Sequence, residues 1–138
     1  MSPFKCNQDG SCDADRYCCL DTEMTLTRDD AERIDKLGYS RKDYLLHAQD
    51  GFSQLSNVGG HCFFYDPVTK LCRIYESRPE GCRYYPVIYD LEKRKCVVDK
   101  DCPCATTMTR EDIRKICHRV RALVKLLMTE AASGESPR

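Results

Sequence analysis

No run of about 18 apolar residues occurs anywhere in the 138-residue sequence, so no transmembrane helix is expected. The opening stretch Met1–Cys6 has no apolar core of the kind a secretory signal needs, so a cytoplasmic protein with reduced thiols is expected. Net charge is missing too: 22 Lys and Arg balance 22 Asp and Glu, which argues against a nucleic-acid binder. The balance is uneven, however, with 8 basic against 12 acidic residues over 1–70 and 14 against 10 over 71–138. There is no Ser/His/Asp set, no phosphate-cradling glycine loop and no paired-carboxylate signature. Asp29 and Asp30 fall in the first turn of an expected helix, where capping and the helix dipole account for them. A catalytic role therefore has nothing under it except a metal.

Cysteine is what the sequence has in excess, 11 in all. Cys6, Cys12, Cys18 and Cys19 crowd the N-terminus; Cys62, Cys72 and Cys82 follow at steps of ten; Cys96, Cys102, Cys104 and Cys117 come last. So many thiols are oxidised to disulfides, bound to metal, or buried as small apolar groups. The odd count fits poorly with a closed set of disulfides, and metal binding is favoured. Thiolates are soft donors, and four of them complete a zinc or iron–sulfur shell. The paired two-residue knuckles of a zinc ribbon do not occur, so a ribbon is not expected. Arg73 and Arg83 each follow a cysteine directly, where a guanidinium would offset the negative charge of a thiolate site.

Local signals outline the fold. Residues 1–22 read as an irregular loop. Thr27 with Asp30 forms a capping-box pattern ahead of Ala31, Ile34 and Leu37, and Gly38 supplies the stop. Ser40 with Asp43 repeats the start signal, predicting a second helix from Arg41 to about Gln49. Residues 50–60 read as loop. Residues 62–65 and 71–75 read as paired strands joined by a turn over 66–70, and 76–81 as a turn around Arg78-Pro79. A further hairpin over 84–90 and 95–98 is interrupted by Pro86. Thr109 and Asp112 then open a long amphipathic helix with Ile113, Ile116, Val120, Leu123, Val124 and Leu127 on one face. Arg110, Arg114, Lys115, Arg119, Arg121 and Lys125 occupy the other, a basic face suited to an acidic partner.

The central stretch Gly60-His-Cys62-Phe-Phe, then Cys72-Arg-Ile-Tyr75-Glu-Ser-Arg78-Pro79-Glu-Gly-Cys82-Arg83-Tyr-Tyr-Pro86, resembles the cysteine-cluster (CxxCxxCC) family of zinc- or iron-chelating domains. Phe4-Lys-Cys6 … Cys18-Cys19 looks like that family's opening, and Asp101-Cys102-Pro103 its closing cysteine. The first cysteines depart from the family pattern, since five residues rather than two separate Cys6 from Cys12 and Cys12 from Cys18. The resemblance implies Cys6, Cys12, Cys18, Cys19, Cys62, Cys72, Cys82 and Cys102 as metal-ligand candidates, with Arg78 joining Arg73 and Arg83 beside the cofactor. Cys96 and Cys117 read as packing residues, Cys104 as packing residue or substitute ligand, and His61 as a surface residue. Some relatives carry the domain within flagellin lysine methylases.

The expected architecture is a small, irregular, cysteine-rich α+β domain around a metal site, with short helices, one or two β-hairpins and a long C-terminal helix. Its parts are a metal-binding domain over 1–108, a basic helix over 109–132 packed on it, and a disordered tail over 133–138. The expected function is that of a [4Fe–4S] accessory protein, redox- or oxygen-responsive, that binds a larger enzyme or complex in the cytoplasm and does not insert into membranes. The alternatives are a structural zinc protein and an iron–sulfur enzyme related to protein lysine methylases.

Overall fold

The computed structural model describes residues 24–48, 50–69, 71–99 and 108–138, and the fold is α+β. Among these residues, two α-helices precede three two-stranded antiparallel hairpins, and a third helix, a fourth hairpin and a long fourth helix follow. Among the described residues, no helix is long and apolar enough to cross a membrane.

Helix α1 spans Arg28–Asp35 and begins as its sequence predicts. Thr27 Oγ1 accepts from Asp30 N while Thr27 N donates to an Asp30 carboxylate oxygen, both at 3.0 Å. Such a box stabilises a helix start by about 1 kcal/mol. Ala31 and Ile34 are buried, whereas Leu37, placed on the same stripe by its spacing, lies past the helix and is half exposed.

Helix α2 covers only Arg41–Tyr44, and the chain then becomes strand β1, Leu45–His47. The helix expected to continue to Gln49 is thus cut short. Ser40 makes no side-chain cap bond, and a single turn gains little against the cost of nucleation. The extended path is better bonded: β1 pairs with β2, Ser53–Leu55, and Ser56 N donates to Tyr44 O at 2.7 Å. Tyr44 is fully buried, and its hydroxyl lies 2.7 Å from Asp35 Oδ1 and 3.1 Å from Ala31 O. Burial, aided by Asp35, pushes its phenol well above the usual range.

The next correction concerns pairing. Strand β3, Asn57–Val58, pairs with β4, His61–Cys62, across Gly59-Gly60. Both glycines have positive φ, +60° and +85°, which a two-residue turn of the primed type requires. Strand β5, Tyr65–Asp66, pairs with β6, Leu71–Cys72, so the residues expected as one hairpin belong to two. Beyond a 3-10 turn at Tyr75–Ser77, the segment expected as a turn enters helix α3, Glu80–Tyr84, with Pro79 as its N-cap. Strand β7, Val87–Asp90, starts just after Pro86 and pairs with β8, Lys95–Val98. Helix α4, Arg110–Ser133, is capped by Thr109 and Asp112 as predicted and buries Ile116, Val120 and Leu123.

Two apolar clusters result. One gathers Leu26, Ile34, Tyr44, Leu55, Phe64 and Ile74; the other gathers Tyr85, Val87, Ile116 and Val120. Carboxylates tie α1 to the elements of the second cluster. Asp30 Oδ1 accepts from Glu80 N at 3.1 Å, and Glu130 Oε1 of α4 accepts from Arg28 N at 2.9 Å. Burial holds the Glu130 carboxyl above its ordinary range, although the Arg28 N–H opposes the shift. The final residues, expected as a tail, lie against the fold: Pro137 is buried, Ser53 Oγ donates to its carbonyl, and Arg41 Nη1 donates to Arg138 O at 3.2 Å.

Candidate metal centre

Three of the eight candidate thiols fall among the described residues. Cys62 on β4 is buried opposite Asn57, and Cys72 on β6 is half-buried opposite Tyr65. Both pack in the first apolar cluster, beside Phe64 and Tyr65. Cys82 is buried on α3, where its backbone N–H donates to Pro79 O at 3.0 Å. Cys6, Cys12, Cys18, Cys19 and Cys102 lie outside the described residues, as does Cys104.

Aromatic rings support the first two thiols. Tyr39 meets Phe64 edge-on at 4.9 Å, and Phe63 meets it at 5.1 Å. Ring pairs of this kind favour a single packing, which fixes the short strands carrying the cysteines. The Gly81 position serves the same region from α3: a Cβ there would overlap Met24 Sδ, so this motif glycine allows the helix to close on the first cluster.

The three arginines differ. Arg73 and Arg83 are exposed, with Arg73 Nη1 3.5 Å from Phe63 O. Arg78 is held more tightly: its guanidinium lies 4.1 Å from the centre of the Tyr75 ring and donates through Nη1 to Tyr75 O at 2.8 Å. Its Nε is buried and has no hydrogen-bond partner among the described residues. The Arg78 carbonyl accepts from Arg33 Nη2 at 3.0 Å, and Arg33 is paired with buried Asp30 at 2.8 Å. The motif arginine is thereby anchored to α1. His61 turns Nδ1 toward Cys62 O at 3.1 Å and its ring toward Tyr65 at 5.0 Å.

The donor set suits a soft metal. Cysteines buried in apolar surroundings and a guanidinium with an unused buried N–H are what a thiolate site would employ. Among the described residues, no three His, Cys, Asp or Glu side chains converge to hold a metal ion. A shell that uses Cys62, Cys72 or Cys82 therefore takes further thiols from outside them.

Cys96 and Cys117, read from the sequence as packing residues, form a disulfide between β8 and α4, with Cα atoms 5.9 Å apart. The expectation of uniformly reduced thiols fails at this pair. Sequence offered no signal for it, because a strand residue and a helix residue 21 positions apart become neighbours only through tertiary packing. Closing a loop of that size contributes about 3 kcal/mol in the chain-entropy picture. Cys96→Ser is expected to lose about that much in urea unfolding of the oxidised protein, and almost nothing in dithiothreitol. Equal losses in both conditions would mean that packing, not the bond, is what the substitution removes.

Residues 5–117 match the family described as "CxxCxxCC: Putative zinc- or iron-chelating domain". The chain belongs to this family. The CxxCxxCC match extends to Cys117, so the disulfide pair lies inside it. An uncharacterized protein of Methanocaldococcus jannaschii is 32% identical over 92 residues, which are 62% of this chain and 48% of that relative. The chain thus spans about half the length of the curated relative it matches. No solved structure matches it.

Proposed function

We propose that this CxxCxxCC protein holds a [4Fe–4S] cluster through cysteine thiolates and acts as a redox- or oxygen-responsive accessory protein of a larger enzyme or complex in the cytoplasm. The observation that carries the reading is the burial of the family-motif cysteines Cys62 and Cys82, beside a half-buried Cys72. The disulfide at Cys96 and Cys117 separates two further cysteines from this set. Cys62 and Cys72 would supply thiolates from the aromatic cluster, and Cys82 from α3. Arg78 would stand beside the site with its unused Nε–H, while exposed Arg73 and Arg83 would offset negative charge from the solvent side. When bound, such a cluster stores an electron and reacts with oxygen. Its environment would be set by the apolar cluster around Phe64, which limits water at Cys62.

The test is anaerobic purification followed by iron, zinc and acid-labile sulfide analysis. The proposal expects a brown protein with iron and sulfide in matching amounts. Stoichiometric zinc without sulfide would overturn it and leave the metal as a structural zinc site.

A further inference from the structure

We propose that the groove between α4 and the β7–β8 hairpin docks an amphipathic helical segment of a partner protein, one whose apolar stripe is flanked by Asp and Glu. This rests on the partner-binding reading above and gives it a place and a chemistry.

The groove has an apolar floor. A hollow of about 400 Å³ is lined by Val87, Ile88 and Tyr89 from β7 and by Leu123, Val124 and Leu127 from α4. It runs into a second, of about 730 Å³, with Tyr89, Leu91, Val124 and Met128 lining both. Along this line Ile88 is 40%, Leu91 57% and Met128 44% exposed. Apolar side chains grouped this way on a surface mark an interaction site more often than scattered ones do. From Val120 to Ala132 the α4 wall runs for roughly 18 Å, room for about three turns of a helix laid alongside.

The rim selects the partner's charge. Arg94, Arg121 and Lys125 line the second hollow, and among the described residues none of them makes an ion pair. Arg114 and Lys115, on the outward face that the sequence singles out, are already met by Glu111 at 3.8 and 3.6 Å. Arg110 and Arg119 of that face also make no ion pair among the described residues, but the basic side chains that line the groove are Arg94, Arg121 and Lys125, with Arg94 contributed by the hairpin turn. A helix with basic flanks would bring like charge to this rim, whereas acidic flanks complete it.

The probe is a fluorescent synthetic peptide of about 18 residues, with leucines at i, i+3, i+4 and i+7 and glutamates beside them. Anisotropy titrations compare it with a scrambled peptide of the same composition. The full-length protein is expected to prefer the patterned peptide by about tenfold or more, and Arg121→Glu with Lys125→Glu to erase that preference. Arg114→Glu should change affinity by no more than about twofold. Equal affinity for both peptides, or an equal loss with Arg114→Glu, overturns the proposal. So does a dimer in sedimentation that buries Leu91 and Met128, which would assign the groove to a second copy. Iron and sulfide are measured on the same samples. A failed peptide with intact iron and sulfide sinks the groove assignment alone, while absent iron and sulfide sink the cluster reading whatever the peptide does.

Discussion

Cys72→Ser is expected to abolish stoichiometric metal binding, while Cys117→Ser leaves it unchanged. The contrast follows from where the two sulfurs lie. Cys72 is half-buried on β6 and packs with Cys62 against one aromatic cluster, so its loss would remove a soft donor from the candidate shell. A serine hydroxyl is a hard, protonated group at neutral pH and a poor substitute for a thiolate. Cys117 is bonded to Cys96 of β8, and a sulfur in a disulfide is not a thiolate donor. Metal per chain is read by elemental analysis on protein shown by circular dichroism to be folded. If Cys117→Ser loses as much metal as Cys72→Ser, the division of the cysteines into site and disulfide is wrong.

Asp30→Ala is expected to cost about 3–5 kcal/mol in urea unfolding, because one buried carboxylate accepts from three directions. Thr27 N lies at 3.0 Å, Arg33 Nη2 at 2.8 Å and Glu80 N at 3.1 Å. Alanine would leave all three donors without that acceptor and would remove the bond from the start of α3, with Cys82 two residues on, to α1. Asp29, its exposed neighbour in the same turn, is the control, and Asp29→Ala should lie within about 0.5 kcal/mol of the parent. A loss at Asp30 below about 1 kcal/mol would show that α3 is held by packing alone.

These substitutions also show how far the sequence could be read. Helices α1 and α4 were legible because their signals are local: Thr27 with Asp30 and Thr109 with Asp112 cap them, and an apolar period follows each. The second role of Asp30, as acceptor for Glu80 fifty residues away, leaves no trace in the capping pattern. Strands of two residues, such as those carrying Cys62 and Cys72, are too short to show a period, and their register is set by turns such as Gly59-Gly60. The cysteine candidates were readable as a pattern, and the family that residues 5–117 match is described as a zinc- or iron-chelating domain. The pairing of Cys96 with Cys117 was not, nor was the approach of Arg94 to Arg121 and Lys125, since each needs the hairpin laid on α4.

The position of the smaller, apolar hollow has a bearing on regulation. Its walls draw on both clusters: Met24 packs against the first, and Val120 and Val124 belong with the second. Whatever fills it touches both, so its affinity is linked to how the two are placed against each other. Thermodynamic linkage runs in both directions. On the proposed reading, a change of state at Cys62 or Cys72 that shifted the first cluster would alter the grip on an occupant, and an occupant would in turn bias the state those cysteines prefer.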